Sequence, residues 1–382
     1  MRVEQAVWKD SKGWQPEFRP EMGESAQLVL LFGSRSIIEK QQFFEEVKHT
    51  YPKAYVFGCS TSGEIHGTEV EDDSLVVTAV HFQQTPLKGA CVNIADVGNS
   101  YGAGRALADS LPSEGLRHLF VLSDGLNVNG TELVNGMTDS LPKGVIITGG
   151  LSGDGDRFER TYVVWDGTSR KNTVAAIGFY GDSLQTGYGS LGGWDPFGPE
   201  RLVTKSKANV LYELDRRPCL ELYKKYLGAH AAGLPAAGLL FPLSLRTYDG
   251  QERIVRTILG VNEEEQSMTF AGDLPEGSYV RLMKANLDRL VDGAIGAARI
   301  SWPDRGSSPC LAILVSCVGR RLVLKQRIEE ETEGVQDVLG EGAFMTGFYS
   351  YGEISPFRPG ASCALHNQTM TVTTFAEEGR PS

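Results

Sequence analysis

The chain has 382 residues, 41% of them hydrophobic and 22% charged. Those are the proportions of a globular protein, not of a disordered, collagen-like or coiled-coil one, and the length suits about two domains with sizeable cores. With 37 basic and 48 acidic residues the net charge is −11, which disfavours nucleic acid and anionic membrane surfaces as partners.

In chain order, residues 27–32 (QLVLLF) form a continuous apolar run, as a buried strand does. Residues 38–51 put Phe43, Phe44 and Val47 on one helical face, and Pro52 ends that helix. A strand over 54–57 leads into the glycine-rich GCSTSGEI at 58–65, and another strand spans 75–82. The cycle recurs as a strand over 119–122, a helix over 129–140, a strand over 145–148 and the turn GGLSGDG at 149–155. Strands over 161–165 and 174–180 follow. YGSLGGWDPFGP (188–199) concentrates glycine and proline, and predicts an exposed connection between two domains, 26–190 and 200–375.

Beyond it the pattern predicts strand or turn over 208–214, a helix over 218–227, paired strands over 253–259 and 268–271, and a strand over 279–282. A helix over 285–300, a loop over 304–309, a strand over 311–315 and a long charged helix over 323–339 come next. A strand over 343–346, the turn GFYSYGEI at 347–354, a strand over 370–375 and a polar tail over 376–382 complete the chain. Units of this β-α-β kind with short meanders predict an α/β fold of two related halves with mixed sheets.

An internal duplication supports the halves. QLVLLF, helix, AYVF and GCSTSGEI match LAILV, helix, AFMT and GFYSYGEI, and both turns fit G-x-x-[ST]-x-G-E-I with Thr61 opposite Ser350. GGLSGDG is a weaker third echo.

Glycine numbers 45 residues, against a usual share of ~7%, which implies many turns and close backbone approaches. Turns that leave the carboxyl ends of strands are where open α/β sheets place ligands, and their free N–H groups suit an anion. Ser60, Ser62 and Glu64 are candidates in the first turn, Ser152 and Asp154 in the middle one. The same glycines would equally serve positive φ alone, with the hydroxyls capping turns. Tyr349, Tyr351 and Glu353 alternate on one face if that segment is extended, and a carboxylate beside two tyrosines suits an ammonium. Arg320 or Arg321, past the strand over 311–315, could clamp a carboxylate. His366, with Asn367 beside it, enters the last strand and is the histidine best placed for function; a buried neutral histidine is the plain alternative. Tyr349, Tyr351, Glu353, His366 and Arg320 are expected to converge on one cavity.

Six cysteines include no CxxC pair, and the N-terminus lacks an apolar leader, so a cytoplasmic protein with free thiols and no membrane insertion is expected. No His or Cys cluster has metal-ligand spacing, and no metal is expected. GxSxG and GxxxxGK[ST] do not occur, and GYGSLG (187–192) has no helix pattern after it. Nucleotide enzymes are therefore disfavoured, and a hydrolase using Ser60, Ser350 or Cys317 has no base placed beside it.

GCSTSGEI, GGLSGDG, RTILGVN (256–262), FAGDLPEGSYVRLMKAN (270–286), LVSCVGRRLVLKQRIEEE (314–331) and GFYSYGEISP with CALHNQTMTVTTF (363–375) together resemble the FIST family, with its FIST N and FIST C regions. The resemblance runs from about residue 26 to 375. It implies a bacterial sensory domain, not an enzyme, that binds amino acids or other small molecules. No kinase or cyclase segment is recognisable, so a separate output protein of histidine kinase or cyclase type is the partner implied. No cofactor is expected, although some family members are haem-containing nitric oxide sensors, in which case His366 is the candidate axial ligand. In the amino-acid case, the glycine turns and Arg320 hold the carboxylate while Glu353, Tyr349 and Tyr351 receive the ammonium between the two halves.

Overall fold

A computed structural model describes residues 1–17, 20–246, 253–303 and 309–377; the expected loop over 304–309 and the tail after Phe375 fall almost wholly outside them. The fold is α/β with mixed sheets, as expected. Within it one β-α-β unit recurs three times.

Each of three sheets is built on one parallel strand pair: Leu28–Ser34 with Tyr55–Thr61, Leu116–Ser123 with Ile146–Leu151, and Leu311–Cys317 with Phe344–Ser350. An antiparallel strand flanks the first member of each pair, respectively Ser74–His81, Thr173–Tyr180 and Met370–Glu377. The GGLSGDG segment thus ends a full third copy rather than an echo. All seven positions of Leu28–Ser34 and of Leu311–Cys317 are buried, because central strands covered on both faces read as unbroken apolar runs.

The three copies close into a ring. Tyr55–Thr61 continues into Glu64–His66, which pairs with Phe344–Ser350 of the third sheet. Phe344–Ser350 continues into Gly352–Pro356, which pairs with Ile146–Leu151 of the second sheet. The chain beyond Ile146–Leu151 reaches Val163–Trp165, which pairs with Tyr55–Thr61 of the first sheet. Phe32, Phe57, Phe120, Phe179, Phe348 and Phe375 fill the space between the sheets. Helices cover the outer faces, including Ser100–Asp109 and Gly130–Ser140 on the second sheet and Leu287–Ser301 and Glu329–Leu339 on the third.

Three glycines show how tightly each pair is drawn together. A Cβ at Gly58, Gly149 or Gly347 would lie 1.8, 1.8 or 1.9 Å from the carbonyl oxygen of Leu31, Val121 or Leu314 respectively. Only glycine fits there. Gly347→Ala is expected to lower stability by about 2–3 kcal/mol through overpacking, measured as a shift in the urea midpoint; a change below ~0.5 kcal/mol, the usual range for a neutral surface change, would remove this account of the motif.

YGSLGGWDPFGP runs from the strand Leu184–Leu191 into the strand Asp195–Lys207, where the chain leaves the third sheet for a second lobe. The glycines of Leu184–Leu191 let the helix Leu287–Ser301 lie against strand backbone, since a Cβ at Gly187 would meet Ser301 O at 1.6 Å and one at Gly189 would meet Ala297 O at 2.3 Å. The third sheet itself mixes both halves of the chain, with Leu184–Leu191 paired to Met370–Glu377 and Glu64–His66 to Phe344–Ser350. The described residues between 195 and 284 form that second lobe, a sheet packed on the helix Cys219–Leu227. The helices expected over 38–51 and 323–339 are each broken, at Gln41 and Phe43 (φ 53° and 69°) and at Lys325 (φ 51°). The N-terminal strand Arg2–Lys9, paired with Ser74–His81, was not expected. Among the described residues no helix is long and apolar enough to cross a membrane, and all six cysteines are free thiols.

Candidate functional site

A cleft of about 430 Å³ opens where the three copies meet. The first turn, Thr61 to Glu64, lines one side of it. The middle turn contributes Gly155, Asp156 and Arg157, and the helix Val318–Leu324 of the third copy contributes Val318, Arg321 and Leu322. Asp73, Asp156, Arg157 and Lys325 are exposed there and form no side-chain ion pair among the described residues.

Arg321 is the most heavily engaged of the lining cations. Its Nη1 donates to Ser62 O at 2.7 Å and its Nη2 to Asp72 Oδ2 at 2.5 Å, while the guanidinium lies over the Tyr349 ring, 5.8 Å from its centroid. A Cβ at Gly63 (φ 132°) would sit 2.8 Å from that guanidinium, so glycine both makes the turn and leaves room for it. Burial works against the Arg321 charge, but Asp72 holds its pKa above the ordinary value.

Glu64, at 1% exposure, also lines the cleft. One carboxyl oxygen accepts from the Thr61 hydroxyl, the other from Ser74 N–H at 3.2 Å and Ser74 Oγ at 2.8 Å. Burial pushes its pKa up to about 7 despite those bonds. Glu353 is its counterpart: it accepts from Ser350 Oγ at 2.8 Å, Thr369 N–H at 3.1 Å and Thr369 Oγ1 at 2.9 Å, and burial pushes it up to about 8. In the middle copy Asp124, from the end of the first strand, accepts from Asn172 N–H at 3.0 Å. Each copy therefore uses a buried carboxylate to cap the start of its flanking antiparallel strand. That accounts for the recurring glutamate of G-E-I on structural grounds.

Of the residues expected to bind, Ser62 and Glu64 line the cleft. Ser60 ties the first turn to the middle one, through Oγ to Gly153 O at 2.8 Å, and Ser152 Oγ donates to Ser123 O at 2.8 Å. Asp154 is enclosed by its own turn. It accepts from the N–H groups of Phe158, Glu159 and Arg160, each at 3.0 Å, from Arg35 Nη1 at 3.0 Å, and from the Tyr351 hydroxyl. Burial would raise the Asp154 carboxyl, but those donors together hold it below the usual range.

The expected cavity of Tyr349, Tyr351, Glu353, His366 and Arg320 does not form. The chain passes from the third sheet to the second between Ser350 and Gly352, so the pleat is interrupted and the tyrosines part. Tyr349 reaches Glu331 and Tyr351 reaches Asp154. Arg320 is fully buried on Glu331, with Nη2–Oε2 at 2.7 Å, and not on Glu353. Asn367 is spent on backbone, with Nδ2 to Tyr351 O at 3.4 Å. His366 Nε2 sits 2.9 Å from Ser355 O with its ring against Phe357, and burial pushes it down to about 4. A histidine so held does not fit an axial haem ligand. Cys317 is a buried thiol pushed up by desolvation, which leaves no activated nucleophile there.

Sequence reasoning missed Asp72, Asp73, Asp156, Arg157 and Lys325. They are ordinary surface charges until the ring closure brings them together. Arg321 was one of two adjacent arginines, and neighbours on a helix point about 100° apart.

Residues 27–217 match the family model of the FIST N domain and residues 219–356 that of the FIST C domain. An uncharacterized protein of Methanocaldococcus jannaschii is 23% identical over 367 residues, an alignment covering 88% of this chain and 67% of that one. With both models matched in order across most of its length, the chain belongs to the FIST family, a family of sensory and signal-transduction domains.

Proposed function

We propose that the cleft binds a small zwitterion of the amino-acid class, and that the protein reports it in the cytoplasm to a separate output protein. One observation carries this: cations (Arg157, Arg321, Lys325) and anions (Asp73, Asp156) line a single cleft large enough for a small molecule. A ligand carboxylate would take the N–H groups of Arg321 and Arg157, charge-assisted and directional. Its ammonium would meet Asp73 and Asp156, and a side chain would lie on Val318, Leu322 and Ile328.

Thermal unfolding in the presence of each of the twenty amino acids tests the proposal. A binder at a hundred times its dissociation constant stabilises by about 2.7 kcal/mol. Arg157 is exposed and unpaired among the described residues, so Arg157→Ala is expected to leave the unliganded melting temperature unchanged. It should weaken the binder about five- to tenfold, one charge-assisted contact. Twenty amino acids without a shift, or an Arg157→Ala variant of undiminished affinity, would defeat this function.

A further inference from the structure

We propose that the helix Val318–Leu324 couples the cleft to the second lobe, so that occupancy of one changes the docking of the other; this rests on the cleft being the ligand site. The two faces of the helix carry the argument. Val318, Arg321 and Leu322 line the cleft. Gly319, Arg320 and Leu324 meet the elements that hold the lobe in place.

Gly319 is pressed against the Gln368 amide: a Cβ there would lie 2.3 Å from Nε2 and 2.5 Å from Oε1. Gln368 Nε2 in turn donates to Leu239 O at 3.2 Å and Thr257 Oγ1 at 3.1 Å, both in the lobe. Gln368 O accepts from Trp194 Nε1 at 3.0 Å, at the point where the chain enters the lobe. Arg320 donates to Gly192 O at 3.1 Å and Leu290 O at 2.7 Å, which flank the entry and exit strands. Those strands, Asp195–Lys207 and Tyr279–Lys284, pair with each other at Pro196 and Met283. Leu324 packs in one cluster with Trp194, Met283 and Leu290.

A rigid turn of helix with Arg321 on one side and Gly319 against Gln368 on the other cannot move at one site alone. The bridge is also imperfectly satisfied. Gln368 Oε1 is buried without a hydrogen-bond partner among the described residues, a standing cost that a shifted arrangement could relieve. Two arrangements of nearly equal free energy are what a coupling element requires, and the coupling is reciprocal.

Hydrogen exchange on the full chain tests this without any ligand, with Arg321→Ala as the perturbation at the cleft. Exchange in the lobe strands Arg253–Arg256 and Ile258–Asn262 is expected to rise about threefold or more, while Arg2–Lys9 in the first sheet stays unchanged. Gln368 does not line the cleft. In a Gln368→Ala background, the Arg321→Ala effect on the lobe is therefore expected to vanish. Thr257→Val removes one end of the same bridge and serves if Gln368→Ala does not fold. An equal Arg321→Ala effect in both backgrounds, no effect on the lobe, or a uniform rise over the whole chain would each overturn the coupling. An amino-acid screen without binders would defeat the ligand assignment and leave this exchange result standing, so the two failures are distinguishable.

Discussion

Glu331→Ala is expected to cost about 3–5 kcal/mol of folding stability, the range for removing one partner of a buried ion pair. Both side chains of the Arg320–Glu331 pair have no exposure at all. Glu331 collects four donors: Arg320 Nε at 3.1 Å, Arg320 Nη2 at 2.7 Å, Ser316 Oγ at 3.1 Å and Tyr349 OH at 2.6 Å. Alanine leaves a guanidinium charge, a serine and a tyrosine hydroxyl without their acceptor in the core, and desolvation dominates the loss. Tyr349→Phe removes only one neutral donor, and about 1 kcal/mol is expected. The double replacement Arg320→Met with Glu331→Leu removes both charges and should return to within about 2 kcal/mol of the parent. Urea unfolding of the three variants decides it, and a single Glu331→Ala variant within ~1 kcal/mol of the parent would show that the charge is answered elsewhere.

That pair explains why Arg320 is not the carboxylate clamp that its place after a strand suggested. Arg320 is a charged residue in an apolar setting, which sequence reasoning takes for a site. Here Arg320 and Glu331 are a structural clasp between the third copy and the two ends of the second lobe. The glycine motifs divide the same way. Gly58 and Gly347 are legible because a strand pair this close admits nothing else, and Glu64 and Glu353 are legible because each caps a strand start. The middle copy was faint for a physical reason: its cap is Asp124, on the other strand of the pair, so its turn has no need of G-E-I.

Other features were hidden by their chemistry. Glycines that let a helix rest on strand backbone, as at Gly187 and Gly189, are written like the glycines of a linker. The breaks at Phe43 and Lys325 use residues that rarely adopt positive φ, so no breaker marks them. The cleft was half legible. Its floor lies in the recognised first turn, but Asp73, Arg157 and Lys325 come from three separate connections that only the ring brings together.

Stability should fall by about 1–2 kcal/mol between pH 6.5 and pH 8, and Glu353→Gln should remove most of that fall. Four buried groups set the curve. Glu64 and Glu353 are raised from 4.5 to about 7 and about 8 by burial, so the folded chain holds protons that the unfolded chain has released. Stability from these two is greatest below pH 4.5 and is lost as pH rises through their folded values. His118 and His366 are lowered from 6.5 to about 3 and about 4, again by burial. For them the unfolded chain binds the extra proton, so their contribution is present above pH 6.5 and is lost as pH falls. Between about pH 4.5 and 6.5 the two glutamates oppose the two histidines, which His66, also lowered by burial, joins, and the opposing slopes leave the curve shallow. Above pH 6.5 the opposing slope of the histidines fades over about one pH unit, Glu64 contributes only up to about 7, and Glu353 alone carries the decline to about 8. Below pH 4.5 the histidines act without opposition, joined by Asp154, whose carboxyl is held below its ordinary value, and stability drops again. Glutamine at position 353 keeps the acceptor for Thr369 and a donor for Ser350 but cannot titrate. Urea midpoints measured from pH 4 to pH 9 on both proteins therefore separate the titration from the packing. A parent curve that rises steadily to pH 8, or a Glu353→Gln curve parallel to it, would mean that Glu353 is charged in the fold.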